Sequence, residues 1–183
     1  QQCQAQDTGE QNLTPTAAAI GATTVTTSST VTVTANEYAG GFMMVTITPG
    51  VGYAYKIKSH PAATAAALTI TLEDSIQVAL TTTSRIDLVN SPYDSVIVNP
   101  TTSSGVPVGV AVYPIVASEF GWVQSGGIVN CLADGTLTVG TNISASNAVA
   151  GAVEAAVTAQ NAVGYVVTAI TDTEYGPVFL TID

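Results

Sequence analysis

Hydrophobic and polar residues alternate with a period of two along much of the chain. Thr23-Thr24-Val25-Thr26-Thr27 and Thr30-Val31-Thr32-Val33-Thr34 put Val on one face and Thr on the other. That pattern, built from β-branched residues, predicts half-buried strands. Further strands are predicted over 41–48, 52–59, 68–73, 76–81, 86–90, 95–99 and 106–113. Turn chemistry separates them at Pro49-Gly50, His60-Pro61, Glu73-Asp74, Asn90-Ser91-Pro92 and Asn99-Pro100. Turn signals roughly every 8–12 residues are the rhythm of sandwiches and barrels.

The C-terminal part continues in the same way. Phe120-Gly121-Trp122-Val123-Gln124 reads as a strand, followed by a turn at Gly126-Gly127 and a second strand. A turn at Asp134-Gly135 and a third strand come next. Residues 144–161 are rich in Ala and Ser and fit either a short helix or a tight buried strand. Gly151 in their middle weakens a helix by roughly 1 kcal/mol. Residues 163–170 form a near-continuous apolar strand, 172–176 a turn, and 178–182 a last strand. Residues 1–20 show no such period. They read as an arm that orders against a neighbour, with a helical turn after Pro15. The expected fold is therefore mainly β, a β-sandwich or β-barrel-like arrangement of jelly-roll or β-tulip type, with an extended N-terminal arm and little helix. The arm takes 1–20, an N-terminal β region 21–100 and a C-terminal β region 106–183, with a polar break at 101–105. One continuous domain over 21–183 is the alternative.

Composition narrows the functional classes. Only 9% of the 183 residues are charged while 46% are hydrophobic, against about a quarter charged in ordinary globular chains. Such a surface is association-prone and reads as one covered by other subunits. The net charge is −10, and Lys56, Lys58 and Arg85 are the only fixed cations. Binding a phosphate backbone takes clusters of Lys and Arg, so neither nucleic acid nor an anionic membrane face is an expected partner. Cys3 and Cys131 do not make a disulfide framework. They read as two free thiols, Cys131 a small buried hydrophobe and Cys3 in the arm, with a single long-range bridge as the other possibility.

Candidate chemistry is sparse. His60 is the only His, so a Ser-His-Asp site would have to use it. Its place before Pro61 at a strand end reads instead as a turn. One His and two distant Cys do not supply the ligands of a protein zinc site. Glu73-Asp74 and Asp172 with Glu174 are carboxylate pairs, as glycoside hydrolysis requires, but both fall in turns where such residues serve solvation. Gly126-Gly127 and Gly135 match no phosphate loop. No catalytic residue, metal or cofactor is expected. Trp122, Phe120, Gln124 and Tyr113 are the expected core or interface anchors, since a lone Trp on a strand more often anchors packing than stacks on a sugar.

The segment from Phe120 to Gly127, an aromatic-Gly-Trp-Val-Gln-x-x-Gly strand, and the hairpin at Asp134-Gly135-Thr136 carry a resemblance. They resemble a segment in head structural proteins of tailed bacteriophages, of the decoration or cement type, and a looser likeness runs to the C-terminus. The resemblance implies a non-enzymatic virion protein on the outer capsid surface. It would bind the major capsid protein and itself, as a homotrimer, and stabilise the shell. A phage tail or fibre protein, or a cell-surface adhesin, is the alternative.

Overall fold

The computed structural model describes residues 1–4, 8–102, 104–157 and 160–182. Parts of the predicted arm, of the polar break and of the Ala-rich stretch thus lie outside the described residues. The protein is mainly β, and the one helical element among the described residues is a single 3-10 turn at Thr8–Glu10. The chain divides into two compact units, Gln6–Ser91 and Gln1–Ala5 with Pro92–Asp183.

Among the described residues the first unit holds seven strands: β1 (Thr24–Ser28), β2 (Thr32–Val33), β3 (Phe42–Ile47), β4 (Ala54–Ser59), β5 (Ala63–Thr64), β6 (Ala67–Leu72) and β7 (Arg85–Val89). Five form an antiparallel sheet in the order β1-β6-β4-β3-β7, and β2 pairs with β5 as a separate ribbon. The two-residue period becomes an inside and an outside. Val25, Met43, Val45, Tyr55, Ile57, Leu68, Ile70, Ile86 and Leu88 point inward into one core. Residues 13–16 close this sheet. Leu13 exchanges both backbone hydrogen bonds with Ile86 of β7 (2.9 and 3.0 Å), and Thr16 N–H donates to Thr26 O of β1 at 2.7 Å. Pro15 sits opposite Thr27, a position where its missing N–H costs nothing. The edge strands β1 and β7 are thereby bridged through this segment, which closes the sheet into a small barrel.

This corrects the expectation of an extended arm. Leu13 is 4% exposed and belongs to the core, as does Ala18, whose backbone exchanges hydrogen bonds with Leu80. The segment has no visible period because only single residues of it turn inward. No helical turn follows Pro15. The predicted strand at 76–81 is also absent. Ile76 and Leu80 are buried but reach the core from irregular backbone held by Ala22 and Ala18.

The second unit contains β8 (Val110–Ala111), β9 (Val123–Gln124), β10 (Gly126–Leu132), β11 (Asn142–Ala145), β12 (Val153–Ala155), β13 (Gly164–Val166) and β14 (Tyr175–Thr181). Its main sheet runs β10-β14-β13-β11-β12, and β8 pairs with β9. Ala133, directly after β10, bridges in parallel to Val153 of β12, with Asp134 N–H donating to Val153 O at 2.8 Å. This sheet too curls until its edges meet. Its core is Val129, Cys131, Leu137, Ile143, Val166, Ile170, Val178 and Leu180. Gln1–Cys3 threads between 97 and 106–108: Gln2 exchanges two 3.0 Å hydrogen bonds with Ile97, and Cys3 N–H donates to Val106 O at 3.0 Å. Cys3 is therefore buried rather than carried on a mobile arm.

Several predicted elements shift. The stretch 95–99 is not a strand beyond the Ile97 bridge, and 106–113 keeps β8 and a single bridge from Pro107 to Gln2. The tandem hairpins around Trp122 are not formed. Gly126 and Gly127 open β10 instead of turning, β9 pairs with β8, and β10 pairs with the remote β14. The stretch after Gly135 contributes only the Leu137–Ile170 bridge. The Ala-rich region supplies β12 and a turn in which Gly151 adopts φ +78°, not a helix.

Candidate functional site

The β8–β9 ribbon holds residues 112–122 out as a loop. Its base is fixed by backbone proximity. A β-carbon on Gly109 would lie 2.6 Å from Gln124 O, so only glycine lets the chain pass there. Val110 faces Gln124 and Ala111 faces Val123 in antiparallel register. The loop then turns through Glu119 N–H to Val116 O at 3.1 Å, with Ser118 at φ +67°. Ile115 folds back over Gly121, where a β-carbon would sit 2.4 Å from Ile115 Cγ1. The half-buried Ile115 is thus the loop's own small core.

Everything else apolar in the loop points to solvent. Trp122 is 92% exposed, Phe120 completely so and Tyr113 80%, and Val112 and Val116 are also exposed. The core half of the anchor reading is thereby overturned for Trp122, Phe120 and Tyr113. Local sequence set Trp122 next to β9, but the ribbon projects it away from either core. The structure does bring these three aromatics onto one loop. Gln124 has a different task. Its side-chain amide donates to Gly126 O at 2.8 Å and Ile128 O at 3.0 Å, bracing the turn from β9 into β10. Val112 and Val116 were not singled out from the sequence. The signal available was an apolar run, Val110 to Val116, broken by Pro114. Glu119 is the one charge in the loop.

A second exposed apolar area lies on the outer wall of the first barrel. Phe42 and Met44 of β3 face outward. Phe42 stands between Lys56 of β4 and Val89 of β7, and Met44 between Ala54 and Asp87. Lys58 continues the outward face of β4, and Arg85 begins that of β7. All three fixed cations of the chain are thus on this barrel wall. Lys56 pairs with Glu73 at 3.5 Å with both side chains about half exposed, a contact of little energetic weight. Arg85 donates to Thr82 O and Ser84 O.

The residues weighed for chemistry are occupied by structure. His60 is buried; its Nε2 accepts from Tyr38 N–H at 2.9 Å, its Nδ1 lies 2.9 Å from Pro61 O, and its N–H donates to Asn36 Oδ1. Both ring nitrogens are thus engaged within a turn. Asp172 Oδ1 accepts from Gly135 N–H at 2.7 Å, tying two turns together. Cys131 is a buried free thiol pushed up to about 11 by burial, so it is no nucleophile at neutral pH. Among the described residues no group of three His, Cys, Asp or Glu is arranged to hold a metal ion. A groove of about 470 Å³ runs between the closing segment and β1, lined by Asn12, Thr14, Thr16, Thr26, Ser28 and Thr30 among others, with no titratable side chain. A second cavity of about 40 Å³, beside Cys131 in the second unit, has room for about one water molecule.

The chain matches no protein-family model, no curated protein and no solved structure.

Proposed function

We propose that this chain is a structural subunit of a bacteriophage particle, a decoration or cement protein that sits on the outside of the capsid and stabilises it. The observation that carries the reading is the 112–122 loop. A chain with few charges extends five large apolar side chains into solvent on a ribbon built to project them. A surface of that kind on a soluble protein marks a contact with another protein. The Phe120-to-Gly127 segment, which supplies the phage resemblance, is the returning arm of the same loop. In this role the protein contacts the major capsid protein and its own copies as a trimer, and symmetric display makes moderate contacts add up to lasting attachment.

Binding to the assembled shell but not to free subunits stabilises the shell by linkage. Particles lacking the protein should release DNA at a lower temperature while still assembling. With three fixed cations the contacts with the shell are mainly apolar and hydrogen-bonded. The protein should therefore stay on particles washed in about 1 M salt, where the Debye length is roughly 3 Å. Absence of the protein from purified particles, or equal heat stability without it, overturns the reading. One observation favours a second reading, that of a tail or adhesin-type protein. The exposed rings of Trp122, Phe120 and Tyr113 also suit stacking on a sugar. Glycan binding abolished by Trp122→Ala would select it.

A further inference from the structure

The two exposed apolar areas differ in charge in a complementary way. The Gln6–Ser91 unit carries every Lys and Arg of the chain, three in all, beside six carboxylates, whereas the other unit has seven carboxylates and no fixed cation. On the first unit the apolar patch is flanked by charges of both signs: Phe42 directly faces Lys56, Met44 faces Asp87, and Lys58 and Arg85 lie toward opposite ends of the same wall. Among the described residues Lys58 and Arg85 have no carboxylate within ion-pair distance. On the second unit the 112–122 loop offers three exposed aromatic rings and one carboxylate, Glu119.

We infer that the 112–122 loop of one copy docks on the Phe42/Met44 wall of a second copy, so that the protein assembles head to tail. The chemistry matches group for group. Trp122 and Phe120 cover Phe42 and Met44, Lys heads reach the ring faces, and Glu119 meets Lys58, which among the described residues has no carboxylate within ion-pair distance. The Lys stems add apolar area beneath their charges. Three aromatic side chains at this exposure offer on the order of 500 Å², a large share of the roughly 800 Å² per partner in a standard interface. The loop and the wall are different surfaces, so the contact is heterologous. Each copy keeps one loop and one wall, and such contacts close into a ring or continue as a filament. A closed ring of three is the form that suits the capsid reading. The inference rests on the chain being an assembly subunit and not on which particle it joins.

Complementation tests it in solution, with no particle present. One variant, Phe120→Ala/Trp122→Ala, removes the loop contact; another, Lys56→Glu/Lys58→Glu, reverses the wall. All four side chains are exposed, and circular dichroism checks that each variant folds. If the wall variant misfolds, Lys56→Gln/Lys58→Gln replaces it. Sedimentation velocity should show the wild-type chain associating at micromolar concentration and each variant remaining a monomer of 18.5 kDa. Mixed one to one, the variants should form a dimer and nothing larger, because only one intact loop and one intact wall remain. A wild-type chain that stays monomeric up to about 100 times that concentration overturns the inference. So does a mixture in which no dimer forms, since a self-complementary contact cannot be rescued this way. Particle binding is measured separately. A wild-type chain that stays monomeric yet still binds particles would sink the head-to-tail contact and leave the capsid reading standing.

Discussion

Replacing Trp122 by Ala separates an interface residue from a core residue. A buried Trp covers about 150–250 Å², and its truncation costs about 3–5 kcal/mol. Trp122 is 92% exposed, so less than a tenth of that area, about 20 Å², is removed from water within the chain. At about 25 cal/mol per Å² the expected loss is about 0.5 kcal/mol. For a unit of this size that is a melting shift of less than about 4 °C. The assay is direct because Trp122 is the only Trp. At sub-micromolar concentration its emission should be water-like and readily quenched by iodide. On assembly the emission should move to the blue and the quenching fall, and Trp122→Ala should abolish association while leaving the melting curve nearly in place. A loss of 3 kcal/mol or more in the isolated chain, or a blue, iodide-resistant emission from the monomer, would show that the ring is packed inside and refute the docking-loop argument.

Three further outcomes test the fold and its chemistry. Leu13→Ala should destabilise the Gln6–Ser91 unit by about 2–5 kcal/mol, since Leu13 is a buried part of the barrel closure; a neutral result in denaturant melts would restore the free-arm picture. Gly164→Ala should cost at least about 1–3 kcal/mol, because its β-carbon would lie 2.1 Å from the backbone Phe179 O and must push β13 from β14; unchanged stability would contradict that register. Cys131, raised by burial from 9.0 to about 11, should resist alkylation at pH 8 until the chain unfolds. Its folded form holds the proton more tightly than the unfolded form. The stability it contributes is therefore complete below pH 9 and is lost at up to about 1.4 kcal/mol per pH unit between 9 and about 11. The difference between wild type and Cys131→Ser in pH-dependent melts should vanish if the thiol is exposed.

Much of the strand inventory was legible in the sequence. The Thr/Val alternation at 23–34 and the apolar spacing at 68–73 and 86–90 became β1, β2, β6 and β7, because a period of two is a local property of an extended backbone. Burial followed it: Val25, Val33, Leu68 and Ile70 are inside. The scarcity of charge and of chemical groups was also a sequence-level fact, and it points to surfaces instead of to a catalytic cleft.

Partner choice belonged to the tertiary structure. Leu13–Thr16 closes a barrel only because β1 and β7, remote in sequence, come within hydrogen-bonding reach on either side of it. Nothing in a short run containing Pro15 announces that. The same holds for β10, whose glycines suggested a hairpin but whose register was taken by β14. Trp122 shows the limit most plainly. Its neighbours Gly121 and Val123 would look the same around a buried anchor. Its exposure follows from Ile115 taking the inner face of the loop over Gly121, which leaves Trp122, Phe120 and Tyr113 facing water. Period and composition are properties of neighbours along the chain; closure and exposure depend on segments brought together by the fold.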